Sequence, residues 1–156
     1  MNKILARTVN SKVSILLENT SGSGSWLGYK FEHQRLIIDA TEDKNRVGIC
    51  FDTCHAYAAG YDLVSPQGYQ KTIAALDDMV GLNRLKLIHL NDTLDRLASH
   101  RDRHEHIGKG NIGLEGFRRL VCDPRLKHAA FILETPKDSE RADRINLKTV
   151  RKLIDK

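Results

Sequence analysis

The chain has 156 residues, of which 40% are hydrophobic and 29% are charged. This is the size of one domain with a buried core, and the composition is ordinary for a soluble globular protein. The formal net charge of +5 is compatible with a polyanionic partner such as nucleic acid, but it does not require one.

The sequence contains no indication of a membrane protein. Its apolar runs fall well short of the roughly 20 residues that cross a bilayer, and its amino-terminal residues lack the apolar segment of a signal peptide. The three cysteines, Cys50, Cys54 and Cys122, form an odd number without the spacing of a disulfide framework, which favours a reducing compartment. We therefore expect a cytoplasmic protein without a membrane partner.

In chain order, the end of a helix at 1–12 is followed by four short apolar runs that alternate with helical patterns. The runs are VSILLE (13–18), VGICFD (47–52), LKLIHL (85–90) and AAFILE (129–134). Each is typical of a strand buried on both faces of a parallel sheet. Helical patterns cover 30–43, 67–81, 113–123 and 141–156. Ser65 and Pro66 predict the cap and first turn of the second of these helices.

Four consecutive βα units predict a parallel sheet with right-handed crossovers. Two architectures have this pattern. One is a doubly wound open sheet, and the other is half of a (β/α)₈ TIM-type barrel, which needs twice as many units. Periodicity alone does not choose between them.

Each predicted strand delivers a polar side chain to its carboxyl end, where parallel α/β proteins place their functional sites. These residues are Glu18, Asp52, His89 and Glu134, and the loops that follow the strands add His55, Asp102 and His104. Acidic residues at strand ends also cap helices, as Asp52 could before TCHAYAA. Capping at every strand is a poor explanation, however, because carboxylates that converge in one cleft repel unless they share protons or cations. Mixed imidazole and carboxylate ligands favour zinc, or less specifically manganese or iron.

Three other motifs carry weaker signals. The C-x₃-C spacing of Cys50 and Cys54 lacks a second pair, so buried thiols are the better interpretation. GKGNIG (108–113) matches G-x-G-x-x-G but does not directly follow a predicted strand, which argues against a dinucleotide site; it could instead lead to a helix terminus that faces an anion. SGSGSWLG (21–28) is equally compatible with a phosphate-binding loop and with a plain long loop.

Five stretches occur in the order found in the endonuclease IV family. LLENTSGSGSWLGYKFEH, VGICFDTCHAYAAGYDL, LIHLNDT, RDRHEHIGKGNIG and FILETP together resemble the carboxyl-terminal half of these metal-dependent apurinic/apyrimidinic (AP) endonucleases. The resemblance implies one partial domain over 1–156, forming half of a (β/α)₈ barrel. It also implies a complete site with three zinc ions, which acts in base excision repair by hydrolysing the phosphodiester 5′ to an abasic site in double-stranded DNA.

The resemblance also implies roles for individual residues. Glu18 corresponds to the carboxylate that bridges two zinc ions, and Asp52, His89 and Glu134 correspond to the remaining ligands of one of them. His55, Asp102 and His104 correspond to the ligands of the third zinc. We expect Glu18 and Glu134 to be the catalytic residues, with Mn²⁺ as an alternative ion. Arg101, Arg103 and Lys109 are candidates for DNA phosphate contacts, whereas His106 matches no family ligand.

Members of this family are close to twice as long, and the absent half would supply two histidine ligands, so the remaining zinc site keeps only Glu18. We therefore consider three possibilities. The chain is a truncated product, it needs a second polypeptide, or it associates with itself to close a barrel. Two functions compete with an active AP endonuclease. One is an inactive metal- or DNA-binding remnant, and the other is a sugar isomerase or epimerase built on the same kind of metal-binding barrel.

Overall fold

The protein is described by a computed structural model over residues 1–154. Its strands are β1 (Ile15–Glu18), β2 (Val47–Asp52), β3 (Leu85–His89), β4 (Asp92–Thr93), β5 (His104–Glu105) and β6 (Ala130–Ile132). Its α-helices are α1 (Asn2–Arg7), α2 (Phe31–Asp39), α3 (Thr53–Ala59), α4 (Pro66–Val80), α5 (Gly113–Cys122) and α6 (Ala142–Ile154). None of the helices in this range is long and apolar enough to span a bilayer.

Four of the strands form one parallel sheet in the order β1-β2-β3-β6. The register pairs Glu18 with Cys50 and Asp52 with His89. The ends of β2, β3 and β6 are therefore level, whereas β1 ends opposite Cys50, before the last residue of β2. The polar residues predicted at the strand ends are brought to one edge. This is the succession of four βα units that the sequence predicts.

The core lies where the central strands pack against the helices. Every residue of β2 is buried, and Ile49 and Phe51 are at most 1% exposed. Helices α4 and α5 add fully buried Leu76 and Phe117 to the same cluster. Burial falls off towards the outer strands, and Ile132 in β6 is 48% exposed. The two central strands therefore hold the polar residues at their ends most rigidly.

Local signals in the sequence explain where the helices begin. The Ser65 hydroxyl accepts a hydrogen bond from the backbone N–H of Gly68 at 3.0 Å, and Pro66 occupies the first turn of α4. This confirms the predicted cap. Helix α3 begins directly after β2 and ends at Gly60, which has the left-handed φ of 107° that favours glycine.

Several boundaries differ from the predictions. Strand β1 starts at Ile15 rather than at residue 13, and β6 ends at Ile132, so Glu134 lies just beyond its strand. Helix α3 and the β4–β5 hairpin are not among the predicted elements, although the sequence marks TCHAYAA as a segment that Asp52 could cap. The predicted end of α6 at residues 155–156 lies outside the described residues.

Candidate metal centre

The seven predicted ligands converge at the carboxyl edge of the sheet in two groups. Within each group, every residue offers a ligand atom within 4.8 Å of the others. One group consists of Glu18, Asp52, His89 and Glu134, and the other of His55, Asp102 and His104. The parallel strands place the first group, and the second combines helix α3 with the loop that leads into β5.

The first group surrounds one imidazole nitrogen with carboxylates. His89 Nδ1 lies 3.1 Å from Glu18 Oε1, 3.2 Å from Glu134 Oε2 and 3.7 Å from Asp52 Oδ2. A single imidazolium would neutralise only one of three carboxylates. The arrangement therefore has excess negative charge that a divalent cation would balance.

The second group brings two imidazole nitrogens face to face. His55 Nε2 and His104 Nε2 are 3.5 Å apart, and each lies within 3.3 Å of Asp102 Oδ1. The opposite ring nitrogens are engaged by the backbone, since His55 Nδ1 is 2.9 Å from the Asn19 carbonyl and His104 Nδ1 is 3.0 Å from the Glu134 carbonyl. A carbonyl only accepts, so each Nδ1 carries a proton. When the imidazoles are neutral, each Nε2 therefore has the lone pair, as in histidines that bind metals.

The electrostatic environment of these groups reflects the same excess of carboxylates. A hydrogen bond from His55 is the largest effect on Glu18 and lowers the pKa of that carboxyl. Burial disfavours the charged form of His55, but the hydrogen bond with Glu18 and the charges of Asp52 and Asp102 raise its pKa to about 9. Burial raises the pKa of the Asp52 carboxyl. The raised pKa values favour protons on His55 and Asp52, which offset the negative charge of the carboxylates. A bound metal ion would displace these protons and supply the positive charge instead.

Asp52 both caps a helix and belongs to the first group of predicted ligands. Its Oδ1 accepts a hydrogen bond at 2.8 Å from the backbone N–H of His55, which caps α3. Its Oδ2 faces His89 and accepts a hydrogen bond at 2.6 Å from Asn91 Nδ2. The two interpretations offered by the sequence are therefore compatible, because each uses a different oxygen.

Two buried asparagines fix the strand ends, and neither is assigned a role by the sequence patterns. Asn19 exchanges two hydrogen bonds with the backbone of Asp52. Asn91 reaches Asp52 with its amide nitrogen, while its amide oxygen accepts a hydrogen bond from the backbone N–H of Glu134 at 2.8 Å. Their signal in the sequence is their position, since each directly follows or closely follows a ligand at the end of a predicted strand.

The glycine-rich stretch GKGNIG is wrapped around a carboxyl group of the protein itself. Asp92 is fully buried, and its two oxygens accept hydrogen bonds of 2.9–3.3 Å from five backbone N–H groups. The donors belong to Thr93, Gly108, Gly110, Ile112 and Gly113. The anion faced by this loop is therefore internal. Because β4 pairs Thr93 with His104, the same carboxyl group supports the strand that carries a predicted ligand.

The candidate DNA-binding residues and His106 do not belong to either group of predicted ligands. The side chains of Arg101 and Arg103 are 64% and 67% exposed, and each approaches Asp95 only to 3.8 Å. Lys109 is also exposed. His106 is held between Asn146 Nδ2 at 2.9 Å and Asp138 Oδ2 at 3.1 Å, so it joins the loop to the start of α6 and its preceding segment.

The donor set fits a metal that accepts nitrogen and oxygen ligands. Cys50 and Cys54 lie close enough to some of the ligands to form further three-residue groups. Burial, however, raises the pKa of both thiols to about 12. They are 3% and 0% exposed, as expected for buried thiols. Histidine and carboxylate ligands without thiolate suit zinc or manganese.

Comparisons with known proteins identify relatives of this chain. A probable endonuclease 4 from Chloroflexus aurantiacus is 50% identical over 97% of this chain and 54% of its own length. One from Geobacter sp. (strain M21) is 46% identical over 90% of this chain and 50% of its own length. The crystal structure of endonuclease IV from Thermus thermophilus superposes with a TM-score of 0.80 and 42% identity, covering 90% of this chain and 49% of that chain.

The chain thus spans about half the length of the relatives it matches. The superposition also decides between the two architectures left open by periodicity, because the four parallel strands correspond to half of a TIM barrel. The family model described as "Xylose isomerase-like TIM barrel" matches residues 1–154. The chain therefore belongs to the xylose isomerase-like TIM-barrel family, in which the endonuclease IV proteins are its relatives.

Proposed function

We propose that this chain forms the metal-binding part of a zinc-dependent AP endonuclease, which hydrolyses the phosphodiester 5′ to an abasic site in double-stranded DNA. The observation that carries the proposal is the pair of facing Nε2 atoms of His55 and His104, next to Asp102 and beside a second group with three carboxylates. The relatives named endonuclease 4 supply the reaction class.

The three carboxylates differ in solvent exposure, which suggests different roles for them. Asp52 is completely buried, whereas the side chains of Glu18 and Glu134 are 37% and 47% exposed. Asp52 therefore orients its neighbours, and Glu18 and Glu134 face the substrate. Glu134 is the better candidate to accept the proton of an attacking water, because it faces His89 alone, whereas Glu18 faces both His55 and His89. Metal ions bound here would supply Lewis acidity towards the phosphodiester and a hydroxide nucleophile near neutral pH.

The abasic nucleotide has to leave the helix to reach a site set among loops. Leaving costs least where no base is stacked or paired, which makes an abasic site the favoured substrate. Arg101 and Arg103 are the sequence neighbours of the predicted ligand Asp102, and Lys109 follows in the same segment. All three are exposed cations, which would contact DNA phosphates and position the duplex. Zinc is the proposed ion, and manganese is the alternative.

The test is incubation of the zinc-loaded chain with a duplex that contains one abasic site. We expect cleavage on the 5′ side and its loss in Glu134→Gln. Glu115→Gln serves as the control because Glu115 is an exposed carboxylate on α5, 70% accessible and outside both groups. Absence of cleavage even after addition of the other half of a relative, at full zinc occupancy, would refute the proposal.

A metal- or DNA-binding protein without turnover is the second candidate, because the chain spans about half the length of its relatives. Native mass spectrometry separates the two candidates by counting zinc. Bound zinc and DNA affinity without cleavage would favour the second candidate, whereas less than one zinc per chain and no DNA affinity would contradict both.

The description of the matching family gives an observation in favour of a third candidate, a sugar isomerase that uses the same metal ligands. Conversion between an aldose and a ketose by the zinc- or manganese-loaded chain, lost in Glu134→Gln, would establish it in place of the nuclease. We favour the nuclease because the relatives at 46–50% identity are named endonucleases.

A further inference from the structure

The only tryptophan of the sequence lies beside the metal-ligand groups and is not used by them. Trp26 belongs to the glycine-rich loop that follows β1, and it is 68% exposed. It lines a cavity of about 260 Å³ together with Glu18, His55 and Asp102. A large aromatic ring thus lines the same cavity as predicted ligands from both groups.

The loop that displays Trp26 is held in place at both ends. The Thr20 hydroxyl donates to the Leu27 carbonyl at 3.0 Å, and the backbone N–H of Gly28 donates to His33 Nδ1 at 3.0 Å. The backbone N–H of Trp26 donates to the Ser23 carbonyl at 3.2 Å. The indole is therefore presented to solvent by a defined backbone.

The loop is also attached to the segment that carries Asp102. His100 Nδ1 hydrogen-bonds the Ser21 carbonyl at 3.0 Å, and its ring meets Tyr29 edge to face. At Gly22, which has a φ of +76°, an added Cβ would lie 2.8 Å from both rings. The glycine is thus required for this close approach, which ties the position of Trp26 to that of a predicted ligand.

The size and chemistry of the cavity limit what it takes. It is smaller than the clefts of about 300–1,000 Å³ that hold drug-sized ligands, so it has room for one ring-sized unit. An exposed indole offers a flat apolar face, and nucleobases stack on such faces whatever their sequence. A DNA strand with its phosphodiester at the metal groups would bring a base next to this loop.

We propose that Trp26 forms a base-stacking subsite, in which its indole stacks on the nucleobase that neighbours the phosphodiester held at the metal groups. This subsite rests on the proposed function, since it requires DNA at the metal groups. It would add affinity and positioning to the reaction, and it takes no part in the bond cleavage itself. The ligand class is a nucleobase in a DNA strand rather than the sugar of the abasic site.

Because Trp26 is the single tryptophan, tryptophan fluorescence of the zinc-loaded chain, excited beyond the absorption of tyrosine, reports on this site alone. We expect emission to be quenched by an abasic duplex with a non-hydrolysable linkage 5′ to the lesion, and to be unchanged by 2-deoxyribose 5-phosphate. Fluorescence anisotropy of labelled DNA should show binding about 5- to 100-fold weaker for Trp26→Ala, which is the effect of deleting one stacked aromatic ring. Trp26→Phe should retain most of the affinity.

Leu27→Ala is the matched control, because Leu27 is the next residue of the loop, is 73% exposed and does not line the cavity. Its DNA affinity should equal that of the unmodified chain. Two results together would overturn the subsite and leave the endonuclease proposal intact. DNA would bind to the unmodified chain without changing its tryptophan emission, and Trp26→Ala would bind DNA with unchanged affinity. Equal quenching by 2-deoxyribose 5-phosphate would assign Trp26 to the sugar and overturn base stacking. No DNA binding by any variant, at full zinc occupancy, would refute the proposed function together with the subsite.

Discussion

At the scale of single residues, Asp92 is a buried carboxyl group outside the predicted ligands that organises the backbone of the loop next to them. Its two oxygens accept five backbone N–H groups in a fully buried position. An amide offers only one acceptor oxygen, so Asp92→Asn leaves at least two of these donors without a partner. Each costs about 1–3 kcal/mol, and we expect the free energy of unfolding, measured in urea, to fall by roughly 2–4 kcal/mol.

The same substitution should weaken zinc binding about tenfold or more, because losing the support of a ligand has an effect of this size. The expected weakening concerns the site of His104, whose strand pairs with Thr93. Asp62→Asn is the control, since Asp62 also accepts backbone N–H groups, from Val64 and Ser65 before α4. Equal zinc affinities of the two variants by calorimetry would contradict the role given to Asp92.

At the scale of secondary-structure elements, helix α2 contains a polar side chain that its surroundings do not satisfy. Gln34 is 1% exposed, and neither its amide oxygen nor its amide nitrogen finds a hydrogen-bond partner among residues 1–154. Burial of an unpaired amide costs about 1–3 kcal/mol. Gln34→Leu should therefore raise the free energy of unfolding by about 1–2 kcal/mol, measured by chemical denaturation.

Gln67 provides the comparison for this prediction because it is exposed in the first turn of α4. Gln67→Leu should change the stability by less than about 0.5 kcal/mol. A destabilised Gln34→Leu variant would mean that the buried amide has partners in solution that the structure does not reveal.

A buried contact joins helix α4 to the end of α5 and gives a pH-dependent prediction. Tyr69 donates a hydrogen bond to Asp123 Oδ2 at 2.7 Å, and Arg125 Nε approaches Asp123 Oδ1 at 3.0 Å. Burial alone would raise the pKa of Asp123, but hydrogen bonds from Arg125 and Tyr69 hold it below 3.8. A depressed pKa adds stability that is present above 3.8 and is lost as the pH falls through the lower, folded-state value.

Asp123→Asn should therefore lower the free energy of unfolding by about 1–2 kcal/mol at neutral pH, a value reduced because Arg125 is partly exposed. The difference from the unmodified chain should shrink as the pH falls below 3.8. Tyr69→Phe removes a hydrogen bond without removing the charge, so its effect should depend much less on pH. A constant difference for Asp123→Asn between neutral and strongly acidic pH would contradict the assignment.

The main sheet could be predicted from the sequence because VGICFD and LKLIHL are nearly continuous apolar runs, the pattern typical of strands in a covered parallel sheet. Strands β4 and β5 could not, since two residues carry no periodicity and their pairing depends on a tertiary contact. The residues of the first ligand group were visible as polar strand ends. By contrast, the five donors to Asp92 come from both sides of a long loop, and no local pattern predicts their convergence.

At the scale of the whole molecule, the four-stranded sheet has two outer strands, β1 and β6, each paired on one side only within residues 1–154. In a closed barrel such edges are paired, which removes the exposed backbone groups. Exposure of Ile132 on β6 and of Val13 next to β1, at 48% and 69%, is in keeping with sides that another segment would cover. Pairing with a second polypeptide or a second copy stays a prediction.

The two groups of predicted ligands come from the ends of β1, β2 and β3, from the segment just after β6, from helix α3, and from β5 with the loop before it. Metal binding should therefore stabilise the whole sheet and not one loop. A ligand that binds only the folded chain adds about 2.7 kcal/mol at a concentration 100-fold above its dissociation constant. Removal of metal by a chelator should therefore lower the melting temperature measured by calorimetry, and zinc should restore it.

Glu134→Gln distinguishes stabilisation by zinc bound at this site from nonspecific stabilisation. The substitution should raise the melting temperature of the metal-free chain and reduce the gain in melting temperature on zinc binding. Without metal, the variant removes one of three carboxylates near His89, which relieves repulsion and should raise the melting temperature. With zinc, the variant loses a ligand, so the shift on metal addition should be smaller than in the unmodified chain. Equal zinc-induced shifts in both proteins would show that zinc stabilises the fold from somewhere other than this cluster.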